Sequence, residues 1–161
     1  MVDAVSVGLS DIKVVKAGKN LRSSGLGSCV GLVLYDAIKG IAGMAHIMLP
    51  DSEISRGKSF SPGKFADTAV PELLRQLQLS GASREHLRAK MAGGAEMFKA
   101  LNGWTANIGL RNVQAIEEQL KTHQLDLLSA DVGGNYGRSI VFDVETEKLH
   151  IHTVTIGDKV I

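Results

Sequence analysis

Two residues in this chain have the chemistry to make and break an acyl bond. One is Cys29, the only cysteine, and the other is His46. Cys29 follows the run Ser24-Gly25-Leu26-Gly27-Ser28 and precedes the apolar run Val30-Gly31-Leu32-Val33-Leu34. His46 lies in the returning run Gly43-Met44-Ala45-His46-Ile47-Met48-Leu49-Pro50. A thiol beside an imidazole is the minimum apparatus for covalent acyl chemistry, because the ring takes the thiol proton and the sulfur attacks a carbonyl carbon. Backbone N–H groups of the glycine-rich turn, at Gly27 and Ser28, could lower the thiol pKa and hold an oxyanion. Ser23 offers a hydroxyl to orient the ring. Each residue also has a plainer reading. A lone cysteine is most often a small buried hydrophobe, His46 between Ala45 and Ile47 can be a core histidine satisfied by a backbone carbonyl, and Ser23 suits any turn.

These residues meet only if the surrounding elements bring them together. Ser28 to Asp36 and Gly40 to Leu49 read as a hairpin, with Asp36-Ala37-Ile38-Lys39-Gly40 as its turn. Pairing Tyr35 with Gly40 places Cys29 opposite His46, and directly opposed residues share a face. A slip of one residue would send them to opposite faces. Val5 to Leu9 and Ile12 to Ala17 read as short strands, and Ser52 to Gly63 as an exposed polar loop. Phe65, Ala69, Val70, Leu73, Leu74 and Leu77 mark an amphipathic helix ending at Gly81. Pro71 either kinks it or begins its regular part. Leu87 to Ala92 reads as a strand, Ala95 to Leu101 as a short helix, and Leu110 to His123 as a second amphipathic helix. Leu125 to Val132, Ser139 to Val144 and Lys148 to Ile156 read as strands, with the turn of a last hairpin at Val144 to Lys148. Strands outnumber helices and come in hairpins. The expectation is therefore an α+β fold, a single domain over residues 1–161 with hairpin-rich mixed sheets and two main helices.

The bulk numbers narrow the function. The chain has 161 residues, 44% hydrophobic and 4% aromatic, so its core must be aliphatic. A net charge of +1 gives no reason to expect nucleic acid or an anionic membrane as the main partner. No apolar stretch approaches a membrane span, no secretory signal opens the chain, and one cysteine makes no internal disulfide. The cytoplasm is the expected setting. Val30 breaks any G-x-G-x-x-G reading of the glycines, and there is no phosphate loop or G-x-S-x-G elbow. His150 and His152 alternate on one strand face without a third ligand, which favours a polar face over a metal site. The glycine-rich loop from Asp131 to Ser139, with Arg138, reads either as a surface turn or as a site border that binds a carboxylate.

Ser23-Ser24-Gly25-Leu26-Gly27-Ser28-Cys29-Val30-Gly31 resembles the nucleophile segment of the CheD family, the chemoreceptor glutamine deamidases of bacterial and archaeal chemotaxis. Gly43 to Pro50 resembles its histidine segment. Further matches are Pro62 to Ala69, Lys90 to Ala95, Asn107-Ile108-Gly109 with Arg111-Asn112, and Gly133-Gly134 with Gly137-Arg138-Ser139. They come in family order and span most of the chain. The resemblance implies Cys29 as nucleophile, His46 as base and Ser23 as the hydroxyl that orients the ring, where the family usually carries Thr. It implies a Cys thioester route from glutamine to glutamate with no metal or organic cofactor. It also implies a layered α/β sandwich similar to toxin-type cysteine deamidases, methyl-accepting chemoreceptors as substrates, and the CheC phosphatase as a partner. Two other readings stay open: a non-catalytic regulator that docks on receptors or on CheC, and another amidase or thioesterase with the same dyad.

Overall fold

Burial sorts the strands into layers. The computed structural model describes residues 3–97 and 107–161. Among these residues the elements run β1 (Asp3–Ser6), β2 (Ile12–Lys16), β3 (Lys19–Leu26), β4 (Val30–Asp36), β5 (Ile41–Ile47), α1 (Ala66–Leu79), β6 (Leu87–Gly93), α2 (Ile108–Thr122), β7 (Asp126–Val132), β8 (Arg138–Asp143), β9 (Lys148–Thr153) and β10 (Gly157–Val160). Every residue of β4 and β5 is buried, as in strands covered on both faces. In β8 and β9 every second residue is buried, as in strands with one face toward solvent.

One sheet has the order β1-β3-β8-β9-β10 and the other β2-β5-β4-β6-β7. The β1/β3 and β6/β7 pairs are parallel and the rest antiparallel. Leu21, Leu26, Val33, Met44, Ile140 and Phe142 fill the gap between the sheets. On the other face of the second sheet, Leu32, Leu34 and Ala45 meet Leu73 and Leu77 of α1 and Ile116 and Leu120 of α2. The α+β layered architecture expected from the sequence is the one observed, with two mixed sheets and one helical layer. Each fully buried Leu or Ile of this aliphatic interior contributes about 1.5–3 kcal/mol.

Several expectations need correction. The β4–β5 pairing runs from Val30↔Ile47 to Asp36↔Ile41, so Gly31, not Cys29, faces His46. Asp36 causes the shift. Its Oδ1 accepts the N–H groups of Ile38 and Lys39, both at 3.0 Å, and this side-chain-built turn needs residues 37–40 as its loop. The slip is two residues, so every side chain keeps its face.

Strand β3 was missed because Lys19-Asn20-Leu21-Arg22-Ser23-Ser24-Gly25-Leu26 is poor in strand formers. Its neighbours β1 and β8 hold it from both sides. Strand β10 is an edge strand exposed at every residue, so it carries no alternation to read. Strand β1 lies earlier than expected, at Asp3–Ser6. Helix α1 starts at Ala66 and runs through Pro71, whose missing N–H leaves the Asp67 carbonyl without its helical donor. The short helix expected at Ala95 to Leu101 is absent at Ala95 to Met97, and its remainder lies outside the described residues.

Candidate active site

Cys29 and His46 come to the same end of the same sheet, on the same face. Gly31 opposes His46, and alternation puts Cys29, two residues before Gly31, on its side. That side looks into the gap between the sheets, where Val33, Tyr35, Ala42 and Met44 lie. Cys29 packs at the margin of this core and is half-buried. Diagonal neighbours of this kind are about 7–8 Å apart at the backbone, within reach of a ring such as imidazole.

The other sheet supplies the third group. Ser23, from β3, is buried, and its Oγ lies 2.8 Å from His46 Nδ1 and 2.7 Å from the Val7 carbonyl oxygen. A hydroxyl has one proton. If it is donated to the carbonyl, Nδ1 must carry the ring proton and donate it to Ser23. The neutral ring then presents Nε2 as a bare lone pair. Nε2 is buried and has no hydrogen-bond partner among the described residues. Such an atom costs about 1–3 kcal/mol.

Strand β3 is shaped for this contact. Its register with β8 shifts between Ser23 and Leu26, and Gly25 takes φ 69° there. The bulge ends regular pairing directly after Ser23 and turns the chain toward Cys29. Across the site, the Gly94 N–H donates to the Cys29 carbonyl at 2.9 Å, and the Ala95 N–H to the Gly27 carbonyl at 2.8 Å. Gly93, at φ 124°, comes so close that an added Cβ would collide with the Cys29 carbonyl oxygen. The Gly27 N–H donates to the Gly25 carbonyl at 3.2 Å.

Burial favours the neutral form of both Cys29 and His46. Burial pushes the Cys29 thiol pKa up, partly offset by its own backbone N–H. Burial also pushes the His46 imidazole down, against the Val7 carbonyl and Asp11, which act the other way. A cavity of about 340 Å³ opens onto His46 from the Ser23 side, lined in part by Val7, Leu9, Arg22 and Ile140.

Two further sequence candidates do not offer free binding groups. Arg138 is buried and engaged. Its Nε donates to Asp131 at 3.1 Å, Nη2 to the Tyr136 hydroxyl at 3.2 Å and Nη1 to the Gly93 carbonyl at 3.3 Å. It therefore braces the loop against β6 and is not placed to bind an incoming carboxylate. His150 and His152 are exposed on the outer sheet, with His152 hydrogen-bonded to Asp158. No group of three metal-ligating side chains occurs among the described residues.

Sequence reasoning gave no role to Asn112. It is fully buried in α2, and its Nδ2 donates to the carbonyls of Ser28 at 2.9 Å and Met48 at 3.0 Å. Its Oδ1 has no partner among the described residues. The available signal was an Asn on the buried stripe of an amphipathic helix, where an aliphatic residue is expected.

Fold and site define a class: a three-layer β-β-α protein with Ser23 hydrogen-bonded to His46 at one end of the gap between its sheets and Cys29 on the same face of the neighbouring strand end. The family model described as CheD chemotactic sensory transduction matches residues 48–153, beginning just after His46. Three relatives span the whole site. The chemoreceptor glutamine deamidase CheD of Halalkalibacterium halodurans is 50% identical over 99% of each chain. That of Bacillus subtilis is 46% identical over 98% of this chain and 95% of its own. The probable chemoreceptor glutamine deamidase CheD of Clostridium botulinum is 44% identical over 98% of each. This chain belongs to the CheD family.

Proposed function

We propose that this protein is a chemoreceptor glutamine deamidase of chemotaxis, acting as a single domain through a Cys29 thioester. The observation that carries the chemistry is the Ser23 bridge. One hydroxyl between the Val7 carbonyl and His46 Nδ1 selects the tautomer whose Nε2 is free to act as a base. The names of the relatives, chemoreceptor glutamine deamidases, support the substrate.

The steps follow from the groups present. His46 Nε2 takes the Cys29 proton as the sulfur attacks the side-chain carbonyl carbon of a receptor glutamine. Burial raises the thiol and lowers the imidazole, which favours their neutral forms and a proton transfer that accompanies attack. The carbonyl oxygen becomes an oxyanion. Gly27 has its N–H engaged within the turn, so Ser28 and Cys29 are the better-suited backbone donors. Collapse breaks the C–N bond, His46 returns the proton, and ammonia leaves. Water then attacks the thioester with His46 again as base, giving glutamate and the free thiol. The cavity beside His46 is large enough to hold water next to the ring. No cofactor enters. The setting is cytoplasmic, and a CheC-type phosphatase competes with receptors for the same protein.

The test is mass spectrometry of a receptor cytoplasmic fragment incubated with the reduced protein. Each converted glutamine adds about one dalton, and Cys29→Ala abolishes the gain. Binding without a mass gain would leave a regulator that docks and does no chemistry. Action on free glutamine or small thioesters alone would keep the mechanism and replace the substrate.

A further inference from the structure

Asn112 reaches the site from the helical layer. β4 begins at Val30 and β5 ends at Ile47, so the Ser28 and Met48 carbonyls lie just beyond the last backbone pair of the hairpin. The Asn112 amide takes over where that pairing stops, donating to both carbonyls from one nitrogen. Ser28 immediately precedes Cys29, and Met48 lies two residues after His46. Both partners are acceptors, which fixes the amide with its nitrogen toward the strands and leaves its buried oxygen unpaired. An aliphatic side chain would suit the core better. What the amide adds is a fixed separation between two strand ends. Without it the Ser28 and Met48 carbonyls lose the donor they share, the one side-chain link between these two strand ends among the described residues.

We infer that Asn112 is a positioning residue that holds the Cys29 loop against the His46 strand, so that α2 sets the thiol–imidazole geometry. The inference rests on the reading of Cys29 and His46 as nucleophile and base.

The test measures the rate of Cys29 alkylation by iodoacetamide across pH, together with kcat and KM for a receptor fragment and the thermal midpoint. The proteins are wild type, His46→Ala, Asn112→Ala and Asn112→Asp, the last keeping the shape of the side chain while replacing the donor. The expected result is folded Asn112 variants whose alkylation profile moves toward that of His46→Ala. Their kcat falls about tenfold or more while KM stays within about twofold. A folded variant with profile and kcat within about twofold of wild type overturns the inference. If Asn112→Ala fails to fold, Asn112→Asp decides by the same criteria, and failure of both assigns the residue to the core alone and overturns it too. Alkylation needs no glutamine substrate, so an error in the substrate leaves this test intact. Identical profiles for wild type and His46→Ala would instead bring down the nucleophile–base reading itself.

Discussion

The two ends of the β4–β5 hairpin are built in opposite ways. At the turn, the fully buried Asp36 carboxylate accepts four bonds: the N–H groups of Ile38 and Lys39 on Oδ1, and the Ser83 N–H with His86 Nδ1 on Oδ2. Every lone pair that matters is used, and the turn is tied to the chain between α1 and β6. At the open end, His46 Nε2 and Asn112 Oδ1 are left without partners, two of the three such side-chain atoms among the described residues. The glycine-rich loop there crosses from one sheet to the other. One end has its buried polar groups paired, and the other carries unpaired polar atoms at a cost in stability, as expected of a functional site. Both ends belong to one hairpin that is buried along its whole length.

Substitutions at four positions break or sharpen this contrast. The largest effect is expected for Cys29→Ala: deamidation falls by about a thousandfold or more, while the unfolding free energy moves by no more than about 0.5–1 kcal/mol. Residual deamidation near the wild-type rate in the mass assay would remove the open end's claim to chemistry.

His46→Ala is expected to lower kcat by about 10²–10⁴-fold. The pH profile of the wild type gives a second check. His46 must be neutral to accept a proton, and burial lowers its pKa, so the acid limb of kcat/KM should lie below the ordinary imidazole value of 6.5. An acid limb above that value contradicts the buried, neutral ring.

At the turn end the prediction reverses, with stability lost and chemistry kept. Asp36→Asn sets an NH₂ group or a reoriented oxygen against a ring of N–H donors and should cost about 1–3 kcal/mol or more in urea unfolding, with kcat of the folded fraction unchanged. The pH dependence follows from the same carboxylate. Burial alone would raise the Asp36 pKa, but the Ser83 and Lys39 N–H groups and His86 outweigh it, and the folded value lies below the ordinary one. Its contribution is fully present above the unfolded pKa of about 3.9 and is lost as pH falls through the lower folded value. Acid unfolding of Asp36→Asn should lack that component, and an unchanged acid transition would count against it.

The smallest effect belongs to Ser23→Ala. Losing the bond that orients His46, worth about 1–1.5 kcal/mol, lowers kcat about tenfold. Ser23→Thr keeps the hydroxyl and should stay near wild type. Equal rates for all three would show that the ring needs no such guide.

Much of this arrangement was legible in the residues. The apolar runs on either side of Asp36 to Gly40 gave the hairpin, and four-residue recurrence gave α1 and α2. The hairpin register came out two residues off because the Asp36 side chain builds a longer turn than strand pattern alone predicts. The error was harmless to the site, since a shift of two preserves the face. Strand β3 was illegible: serine, glycine and asparagine encode no strand, and only the neighbours β1 and β8 impose one.

By itself the sequence determined which side chains offer acyl chemistry, because a lone thiol and an imidazole are read from residue type, and which faces are apolar, because strand and helix have fixed periods. Only the tertiary structure decided how those groups are tuned. Ser23 reaches His46 by crossing between sheets, Asn112 reaches Ser28 and Met48 from a helix far along the chain, and Arg138 is buried as a brace. Such contacts depend on layer packing between residues distant in sequence, and no local pattern records them.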